Sequence, residues 1–374
     1  MTDMAEESTL RGAFGGRRVL VTGHTGFKGG WLALWLHRLG AKVVGVALPP
    51  RPGPSFYESV KLGSLIDDRR GDITSADEFA KAVAGVDPDF VFHLAAQAFV
   101  RQSYDTPVDT YLTNVVGTAV VLDAVRRMPS VRSIVVVTSD KCYENREWVW
   151  GYRETDHLGG ADPYSSSKGC TELVASAYRR SFFANPAGAQ LASVRAGNVI
   201  GGGDWGPDRL VPDIMRATLN RTPVRIRNPR SIRPWQHVLD PLFGYLLLAA
   251  KLLEDGPRFA GAWNFGPETG EIVEVETLAR EIGRAWGKNG PDFTWDKQTE
   301  GPHEASILRL DSTKARTLLG WRPRLGLRDT VQLTVEWYQA FGQGKSALRE
   351  ISEEQIARYL NVQASTTTSK SQAG

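Results

Sequence analysis

Short apolar runs alternate with amphipathic stretches along the first two hundred residues of the chain. The first is RRVLVTG, which ends at a glycine; WLALWLHRLG follows with helical spacing and a glycine stop, and AKVVGVAL is a second apolar run. Further strand-like runs are DFVFHLAAQ, SIVVVTSD and QLASVRAGN, with helical stretches such as TYLTNVVGTAVVLDAVRR between them. Alternation of this kind predicts an α/β fold, a doubly wound parallel sheet with helices on both faces.

The pattern changes from about Gly201, where glycine, proline and arginine become frequent in GGGDWGPDRLVPD and NRTPVRIRNPRSIRPWQHV. We therefore predict a Rossmann-type domain over residues 15–200 and a smaller, mixed C-terminal lobe, mainly for substrate, over 201–345. Segments of about 235–270, including FAGAWNFGP, are expected to return to the main sheet. The small, polar residues 362–374 predict a disordered tail.

Composition narrows the class of protein. The 374 residues include 45 basic and 42 acidic ones, a net charge of +3 that gives no reason to expect nucleic acid as a partner. Two cysteines, Cys142 and Cys170, are too few for a disulfide framework or a metal cluster. MTDMAEESTL lacks the features of a signal peptide, and no run of eighteen uninterrupted apolar residues occurs. We expect a soluble, cytoplasmic protein without metal or membrane segment.

A glycine triplet links the first strand to the first helix. Gly23, Gly26 and Gly29 lie in VTGHTGFKGG. Without side chains, this backbone can approach a pyrophosphate, which the amino end of the helix stabilises. The motif predicts dinucleotide binding, although a tight strand-to-helix turn needs glycines for steric reasons alone.

The acidic residue that would bind the adenosine ribose is missing from VVGVALPP, since neither aspartate nor glutamate occurs between Gly23 and Glu58. Arg51 could face a 2′-phosphate or be a solvated loop residue, so the local residues leave NAD and NADP open. Asp72, in RGDIT, is a candidate partner for the adenine amine or, alternatively, a cap for the helix TSADEFAKAV.

Tyr164 and Lys168 lie four residues apart in PYSSSKG, so they share one face of a helix. A tyrosine normally titrates near 10, and a nearby ammonium favours the phenolate. The pair therefore predicts a base for the oxidation of a sugar hydroxyl.

A second group of polar residues ends the apolar run IVVVTSDK. Thr138, Ser139, Asp140 and Lys141 should face the ligand crevice, because residues at the carboxyl ends of parallel strands do so. Asp140 and Lys141 could equally form a surface ion pair.

These motifs together resemble the extended short-chain dehydrogenase/reductase superfamily, and specifically its CDP-glucose 4,6-dehydratase family. The resemblance covers residues 15–344 and is carried by VTGHTGFKGG, FHLAAQAFVRQSY, VTSDKCYEN, YSSSKG and VRAGNVIGGGDW. Other sugar-nucleotide 4,6-dehydratases have a glutamate in the place of Lys141.

The resemblance implies NAD as cofactor and a redox-neutral conversion of CDP-D-glucose to CDP-4-dehydro-6-deoxy-D-glucose and water. Tyr164, supported by Lys168, would take the proton of the sugar O4, and Ser139 would hydrogen-bond O4. Asp140 and Lys141 would act as acid and base in the loss of water. The alternative role of Lys141 is to stabilise the enolate.

The resemblance also implies the remaining site residues. The cofactor set is Gly23, Thr25, Gly26, Phe27, Gly29, Asp72, Ile73, Ala95, Ala96, Thr138, Tyr164 and Lys168, and the substrate set is Ser103, Asn198, Arg209 and Arg233, with Tyr104 nearby. Each has a structural alternative: Asn198 can cap a turn, the alanines can permit close packing, and Trp205 and Trp235 can be core residues rather than nucleotide neighbours.

Homodimers or homotetramers are expected by resemblance, through the helix that starts near Tyr164 and the one spanning 110–127. Three alternatives stay open for the function: another nucleotide-sugar 4,6-dehydratase, a 4-epimerase, which needs no acid and base at Asp140 and Lys141, and a non-catalytic NAD-binding scaffold.

Overall fold

A computed structural model describes residues 3–268, 272–295 and 307–362. The predicted tail lies outside the described residues, apart from Val362. The strands are β1 (Arg18–Thr22), β2 (Lys42–Ala47), β3 (Asp67–Arg70), β4 (Phe90–His93), β5 (Ser133–Val137), β6 (Gln190–Ala196), β7 (Val199–Ile200), β8 (Val224–Ile226), β9 (Ile232–Arg233), β10 (Gln236–His237), β11 (Gly261–Phe265), β12 (Val273–Glu274) and β13 (Phe293–Trp295).

The helices surround these strands. They are α1 (Asp3–Phe14), α2 (Phe27–Arg38), α3 (Phe56–Ser59), α4 (Ala76–Ala82), α5 (Val100–Asp105), α6 (Pro107–Tyr111), α7 (Gly117–Val125), α8 (Pro163–Ser181), α9 (Leu210–Leu219), α10 (Leu239–Phe259), α11 (Val275–Trp286), α12 (Leu327–Gly342) and α13 (Leu348–Leu360). A π-helical turn, Leu112–Val116, joins α6 to α7, and a second one spans Ala315–Leu319. Short 3-10 turns span Leu62–Ser64 and Asp140–Cys142.

Seven strands form the main sheet in the order β11-β6-β5-β4-β1-β2-β3, and every pair is parallel. The predicted doubly wound fold is confirmed. The chain leaves β1 towards β2 and β3, then returns to the other side of β1 with β4, so the strand order reverses beside β1. A ligand crevice is expected outside the carboxyl ends of the strands at such a reversal.

Strand residues alternate between two hydrophobic cores because successive side chains point to opposite faces. Val19 and Val21 belong to the larger core, with Trp35 of α2, whereas Leu20 belongs to the smaller one, with Phe79 of α4. The larger core also takes in α1, α10, α12 and α13, and the smaller one α7 and α8. Burial on both faces explains why these strands read as continuous apolar runs.

Among the described residues, three two-stranded sheets lie in or next to the predicted C-terminal lobe, whose bounds stay a prediction. Its small strands pair as β7 with β10, β9 with β12, and β8 with β13. The lobe is tied to the main domain by Trp31 of α2, whose indole donates to the Gly202 carbonyl at 2.9 Å. The late strand β11 is not part of this lobe, since it pairs with β6 at the edge of the main sheet.

The apolar stretch LFGYLLLAA lies in α10 and is buried, except for the partly exposed Leu247. By length and composition, one helical stretch of the described chain, Pro107–Val125, would be able to cross a membrane, with 39% of its apolar window buried. Core helices and helices at subunit contacts pass the same test, so this is weak evidence for a membrane segment.

Candidate functional site

The glycine turn between β1 and α2 is packed too closely for side chains at two positions. Gly23 has φ +79°, and a Cβ there would lie 2.6 Å from the Ala95 nitrogen. A Cβ on Gly29 would lie 2.2 Å from the Gly23 carbonyl oxygen. Gly26 precedes α2 and offers no side chain to cap it. The first amides of α2 are therefore suited to an anion such as a pyrophosphate.

Three other predicted cofactor residues have structural partners. The Thr25 hydroxyl donates to the Leu48 carbonyl at 3.0 Å. Asp72 accepts a hydrogen bond from the Thr74 amide at 2.8 Å, and Ile73 is 5% exposed. The alternative in which Asp72 caps α4 is wrong, because Ser75 occupies the cap position and accepts from the Glu78 amide.

A polar cluster that sequence reasoning missed lies between the glycine turn and β3. His24 Nε2 is 2.6 Å from Asp68 Oδ1, and the Tyr57 hydroxyl donates to Asp68 Oδ2 at 2.5 Å. Burial opposes ionisation of Asp68, yet hydrogen bonds from Arg70, Tyr57 and His24 bring its pKa below the ordinary value. The acidic group near this end of the crevice thus belongs to β3. Its signal was the polar strand DDRR, which an apolar pattern overlooks.

Arg51 is an exposed loop residue, which agrees with the interpretation of a solvated position. Its guanidinium donates to Gln102 Oε1 at 2.7 Å and lies 4.1 Å from the centre of the Phe99 ring, so it is directed towards α5. A contact with a 2′-phosphate stays a prediction.

Tyr164 and Lys168 begin α8, whose first turn is capped by Asp162. Both side chains are buried, with exposures of 8% and 4%, and Lys168 Nζ lies 6.0 Å from the Tyr164 ring centre. Burial raises the pKa of Tyr164 to about 12, against the effects of Ser139 and Arg209. Burial lowers the pKa of Lys168 to about 8. In the chain alone, burial therefore outweighs the expected stabilisation of the phenolate.

The turn after β5 carries the other predicted catalytic residues. Ser139 donates to Asp140 Oδ1 at 2.9 Å and accepts from the Lys141 amide at 3.2 Å. Asp140 is 2% exposed, and its Oδ2 has no hydrogen-bond partner in the described chain. Burial raises the pKa of Asp140, although Lys141, Ser139 and nearby cations favour the carboxylate. A carboxyl that holds its proton in this position suits a general acid.

Three of the four predicted substrate residues surround this turn. Arg209 pairs with the Asp204 carboxylate at 3.0 Å, and its charge acts on Tyr164. Arg233 acts electrostatically on Asp140. Asn198 follows β6, two residues after its last residue, and its carbonyl accepts from the Gln236 amide at 3.1 Å. Asn198 and Arg233 therefore stay predictions for substrate contact, as does Arg209.

Two predicted contacts are corrected by the structure. Ser103 is 0% exposed, and its hydroxyl donates to the Val100 carbonyl at 2.6 Å and accepts from the Tyr164 amide at 3.1 Å. Its hydroxyl therefore positions the start of α8 instead of reaching a sugar. The Thr138 hydroxyl faces inwards, where it donates to Glu172 at 2.5 Å. Only the main chain of Thr138 is left for a cofactor.

The remaining candidates have intermediate surroundings. Ala95 and Ala96 are partly exposed after β4, and Ala95 packs against the glycine turn. Phe27 is partly buried against the larger core. Trp205 and Trp235 pack in that core too, which favours the structural interpretation of both.

Two polar residues that interact with the candidate site escaped the sequence analysis. Lys28 is electrostatically coupled to Asp140 and Lys168, and removal from water lowers its pKa to about 8. Asn114, in the π-helical turn, donates to the Gln97 carbonyl at 3.0 Å and to Ser167 at 2.8 Å, joining the loop after β4 to α8. A lysine in a glycine turn and an asparagine in an apolar helix were the available signals.

Comparison with known proteins shows which family the chain belongs to. The profile described as GDP-mannose 4,6 dehydratase matches residues 20–334. The chain belongs to that family. It is 51% identical to the CDP-glucose 4,6-dehydratase of Salmonella typhimurium, over 90% of this chain and 96% of the relative. The recognition made from the motifs is thereby confirmed.

Two solved structures share the fold. One is the UDP-glucose 4-epimerase of Thermus thermophilus in complex with NAD, with 25% identity, a TM-score of 0.73, and 86% of this chain and 99% of that one covered. The other is the dTDP-glucose 4,6-dehydratase of Bacillus anthracis in complex with NAD, with 20% identity, a TM-score of 0.72, and coverage of 89% and 99%. In the described residues, no group of three histidine, cysteine, aspartate or glutamate side chains could hold a metal ion.

Proposed function

We propose that the protein is an NAD-dependent CDP-glucose 4,6-dehydratase, a hydro-lyase that forms CDP-4-dehydro-6-deoxy-D-glucose and water. The observation that carries the proposal is the 51% identity to a CDP-glucose 4,6-dehydratase along nearly the whole chain. The site agrees with this proposal, because the tyrosine and lysine typical of dehydrogenases, Tyr164 and Lys168, lie beside the buried carboxyl group of Asp140.

The cofactor fits the residues of the crevice. The glycine turn, where a Cβ on Gly23 or Gly29 would clash with backbone, leaves the amides of α2 for the pyrophosphate. NAD held there would supply the acceptor for the C4 hydride and the donor that returns it to C6. Its positive charge in the oxidised form would favour the Tyr164 phenolate.

Oxidation starts at the sugar O4. Tyr164 takes the proton of this hydroxyl while C4 loses its hydride, and Ser139 hydrogen-bonds O4. Lys168, in its ammonium form, stabilises the Tyr164 phenolate. Because burial lowers the pKa of Lys168 to about 8, the phenolate keeps its cation at neutral pH and loses it in alkaline solution.

Loss of water follows from the new ketone, which acidifies the C5 hydrogen. Lys141 takes this proton, and Asp140 donates a proton to the departing O6 hydroxyl, which leaves as water. Lys141 then returns its proton to C5 as C6 accepts the hydride, which would leave the cofactor in its starting oxidation state. The raised pKa of Asp140 keeps a proton available for this step.

The nucleotide end of the substrate lies towards the second lobe. Arg209 and Arg233 suit the diphosphate, since a guanidinium binds two oxygens of a phosphate at once. Asn198, at the junction of β6 and β7, contacts the same group.

We also propose a cytoplasmic homodimer built on the apolar side of α6–α8. Val108, Leu112, Val116 and Leu173 are 69%, 44%, 44% and 59% exposed. An exposed apolar surface of this kind is typical of a contact between protein chains. Cys142 and Cys170 are free thiols, as in proteins of a reducing compartment.

The decisive experiment incubates the purified chain with CDP-, dTDP-, GDP- and UDP-linked glucose and follows the alkaline absorbance of a 4-keto-6-deoxy product. We expect a response with CDP-glucose alone, and none from a Tyr164→Phe variant. Turnover of another nucleotide would retain the chemistry and discard the cytidine specificity. Equal rates for the parent and Tyr164→Phe would refute the mechanism. Denaturing the protein and identifying the released dinucleotide tests NAD against NADP.

A further inference from the structure

A buried ion pair lies behind the catalytic residues, on the side away from the crevice. Glu172 of α8 and Arg195 of β6 are each 3% exposed, and Arg195 Nη2 lies 2.7 Å from Glu172 Oε2. The carboxylate accepts two further hydrogen bonds, from Thr138 at 2.5 Å and from Ser193 at 2.7 Å. Burial opposes ionisation, yet Arg195 and these hydroxyls hold the pKa of Glu172 below its ordinary value.

The guanidinium of Arg195 has further partners of its own, although its Nε has none among the described residues. Arg195 Nη1 donates to the Tyr143 hydroxyl at 2.7 Å and to the Glu154 carbonyl at 3.2 Å, and Tyr143 donates to Asn264 Oδ1 at 2.8 Å. The pair thus joins α8, the ends of β5 and β6, and β11. Buried ion pairs seldom stabilise a fold more than well-packed apolar residues would. The presence of the Glu172–Arg195 pair beside the site therefore suggests a role other than stabilising the fold.

The pair reaches the site along two short connections. Glu172 is one helical turn from Lys168, and Lys168 is one turn from Tyr164. Thr138, which donates to Glu172, is followed directly by Ser139 and the buried acid.

Other charged or titratable groups also face Lys168. On β4, burial lowers the pKa of His93 to about 3, so this ring is neutral. After β5, burial raises the pKa of the Cys142 thiol, which is neutral as well. From α2, Lys28 is a cation and repels Lys168. Among these described groups, Glu172 brings the negative charge that favours the ammonium form of Lys168.

We infer that the Glu172–Arg195 pair positions the catalytic residues: Glu172 keeps Lys168 in its ammonium form and holds the end of β5 that carries Ser139 and Asp140. Glu172 touches neither substrate nor cofactor, so it is a positioning residue. The inference rests on the proposed function, because it assigns a role within that reaction.

The test separates the electrostatic role from the mechanical one. Glu172→Gln/Arg195→Met removes both charges and leaves no unpaired ion. Thr138→Val removes one hydrogen bond and no charge, and Thr138→Ser retains the hydroxyl. A matched control is Glu6→Gln/Arg324→Met, which removes an ion pair at α1, away from the site. The pH profiles of kcat and KM with CDP-glucose are measured for each variant, beside thermal melting.

In the double variant at 172 and 195, the alkaline limb of the pH profile should move to lower pH by about one unit, because Lys168 loses its proton at a lower pH. Its kcat at pH 8 should fall about tenfold with KM within about twofold. Thr138→Val should lower kcat about tenfold at all pH values without moving this limb, and Thr138→Ser should restore it. The Glu6→Gln/Arg324→Met control should show the pH profile of the parent.

A folded double variant with the alkaline limb of the parent overturns the electrostatic role, and a Thr138→Val variant with parental kcat overturns the mechanical one. If the double variant does not fold, Glu172→Gln alone replaces it, with the same expected direction, because it removes the same negative charge. A second measurement does not depend on turnover. The tyrosine absorbance of the NAD complex is followed in the ultraviolet as the pH is raised, and the titration of the Tyr164→Phe variant is subtracted to isolate Tyr164. The Tyr164 phenol should titrate at higher pH without Glu172, and an unchanged titration overturns the inference. An inactive parent would count against the proposed function only.

Discussion

Gly29→Ala tests how closely the glycine turn is packed. The new Cβ would lie 2.2 Å from the Gly23 carbonyl oxygen, 2.8 Å from its carbonyl carbon and 3.1 Å from His24 Cα. The first distance is more than about 1 Å shorter than an ordinary van der Waals contact. All three atoms are backbone, so no side chain can turn away, and the turn itself must open.

The expected cost is that of overpacking, about 1–3 kcal/mol. For a chain of this size, the melting temperature should fall by about 1–4 °C. Affinity for NAD should fall at least about tenfold, since each 1.4 kcal/mol is tenfold and the displaced amides are the proposed ligands.

Two other alanine variants serve as controls. A Cβ on Gly26 would meet only the Gly23 oxygen, at 3.3 Å, and its φ of −81° accommodates any residue. Gly26→Ala should melt within about 1 °C of the parent but bind NAD about tenfold more weakly, because its methyl occupies the pyrophosphate's space. Gly12, in α1, has nothing within 4 Å of a Cβ, so Gly12→Ala should change neither property.

The assays are differential scanning fluorimetry of the chain without cofactor and calorimetric titration with NAD. A Gly29→Ala variant with the melting temperature of the parent would refute the steric argument. Equal NAD affinity of Gly26→Ala and the parent would show that this turn does not hold the pyrophosphate.

Three further predictions concern the acid, the core and the subunit contact. Asp140→Asn should leave transient NADH formation intact and slow dehydration by about 10²–10⁴, measured by NADH absorbance and product formation; parental dehydration would favour another acid. Burial raises the pKa of Asp240 to about 7, so its stabilising contribution is complete below pH 3.8 and is lost as pH rises through 7. Asp240→Asn should therefore raise the melting temperature at pH 8 and not at pH 4, and a gain at both would contradict this. Leu112→Glu should yield monomers in light scattering, whereas Leu318→Glu, an equally exposed leucine elsewhere, should not.

The fold was predictable because its strands are buried on both faces, and their apolar runs stand out from the amphipathic helices. Tyr164 and Lys168 were predictable for a similarly local reason, since four residues make one helical turn. The direction of a short polar side chain, in contrast, is not determined by the neighbouring sequence. Thr138 follows an apolar strand in the sequence, yet the identity of its partner, Glu172, depends on how α8 packs on β5.

Ionisation was the least predictable property. The spacing of Tyr164 and Lys168 suggested a lowered tyrosine pKa, but burial of both side chains by the surrounding elements dominates in the chain alone. Asp68 was missed for another reason: it approaches the glycine turn from β3, forty-five positions after Gly23 in the sequence, where a search limited to the end of β2 does not look.

The place of β11 beside β6 has a consequence for synthesis of the chain. Until the ribosome has released residue 265, the edge of β6 exposes unpaired amides and carbonyls, and Trp263 cannot bury its ring. An open edge of that kind invites aggregation. Translation must therefore pass through the whole intervening lobe before the first domain can close, and a fragment ending near residue 200 should precipitate instead of folding.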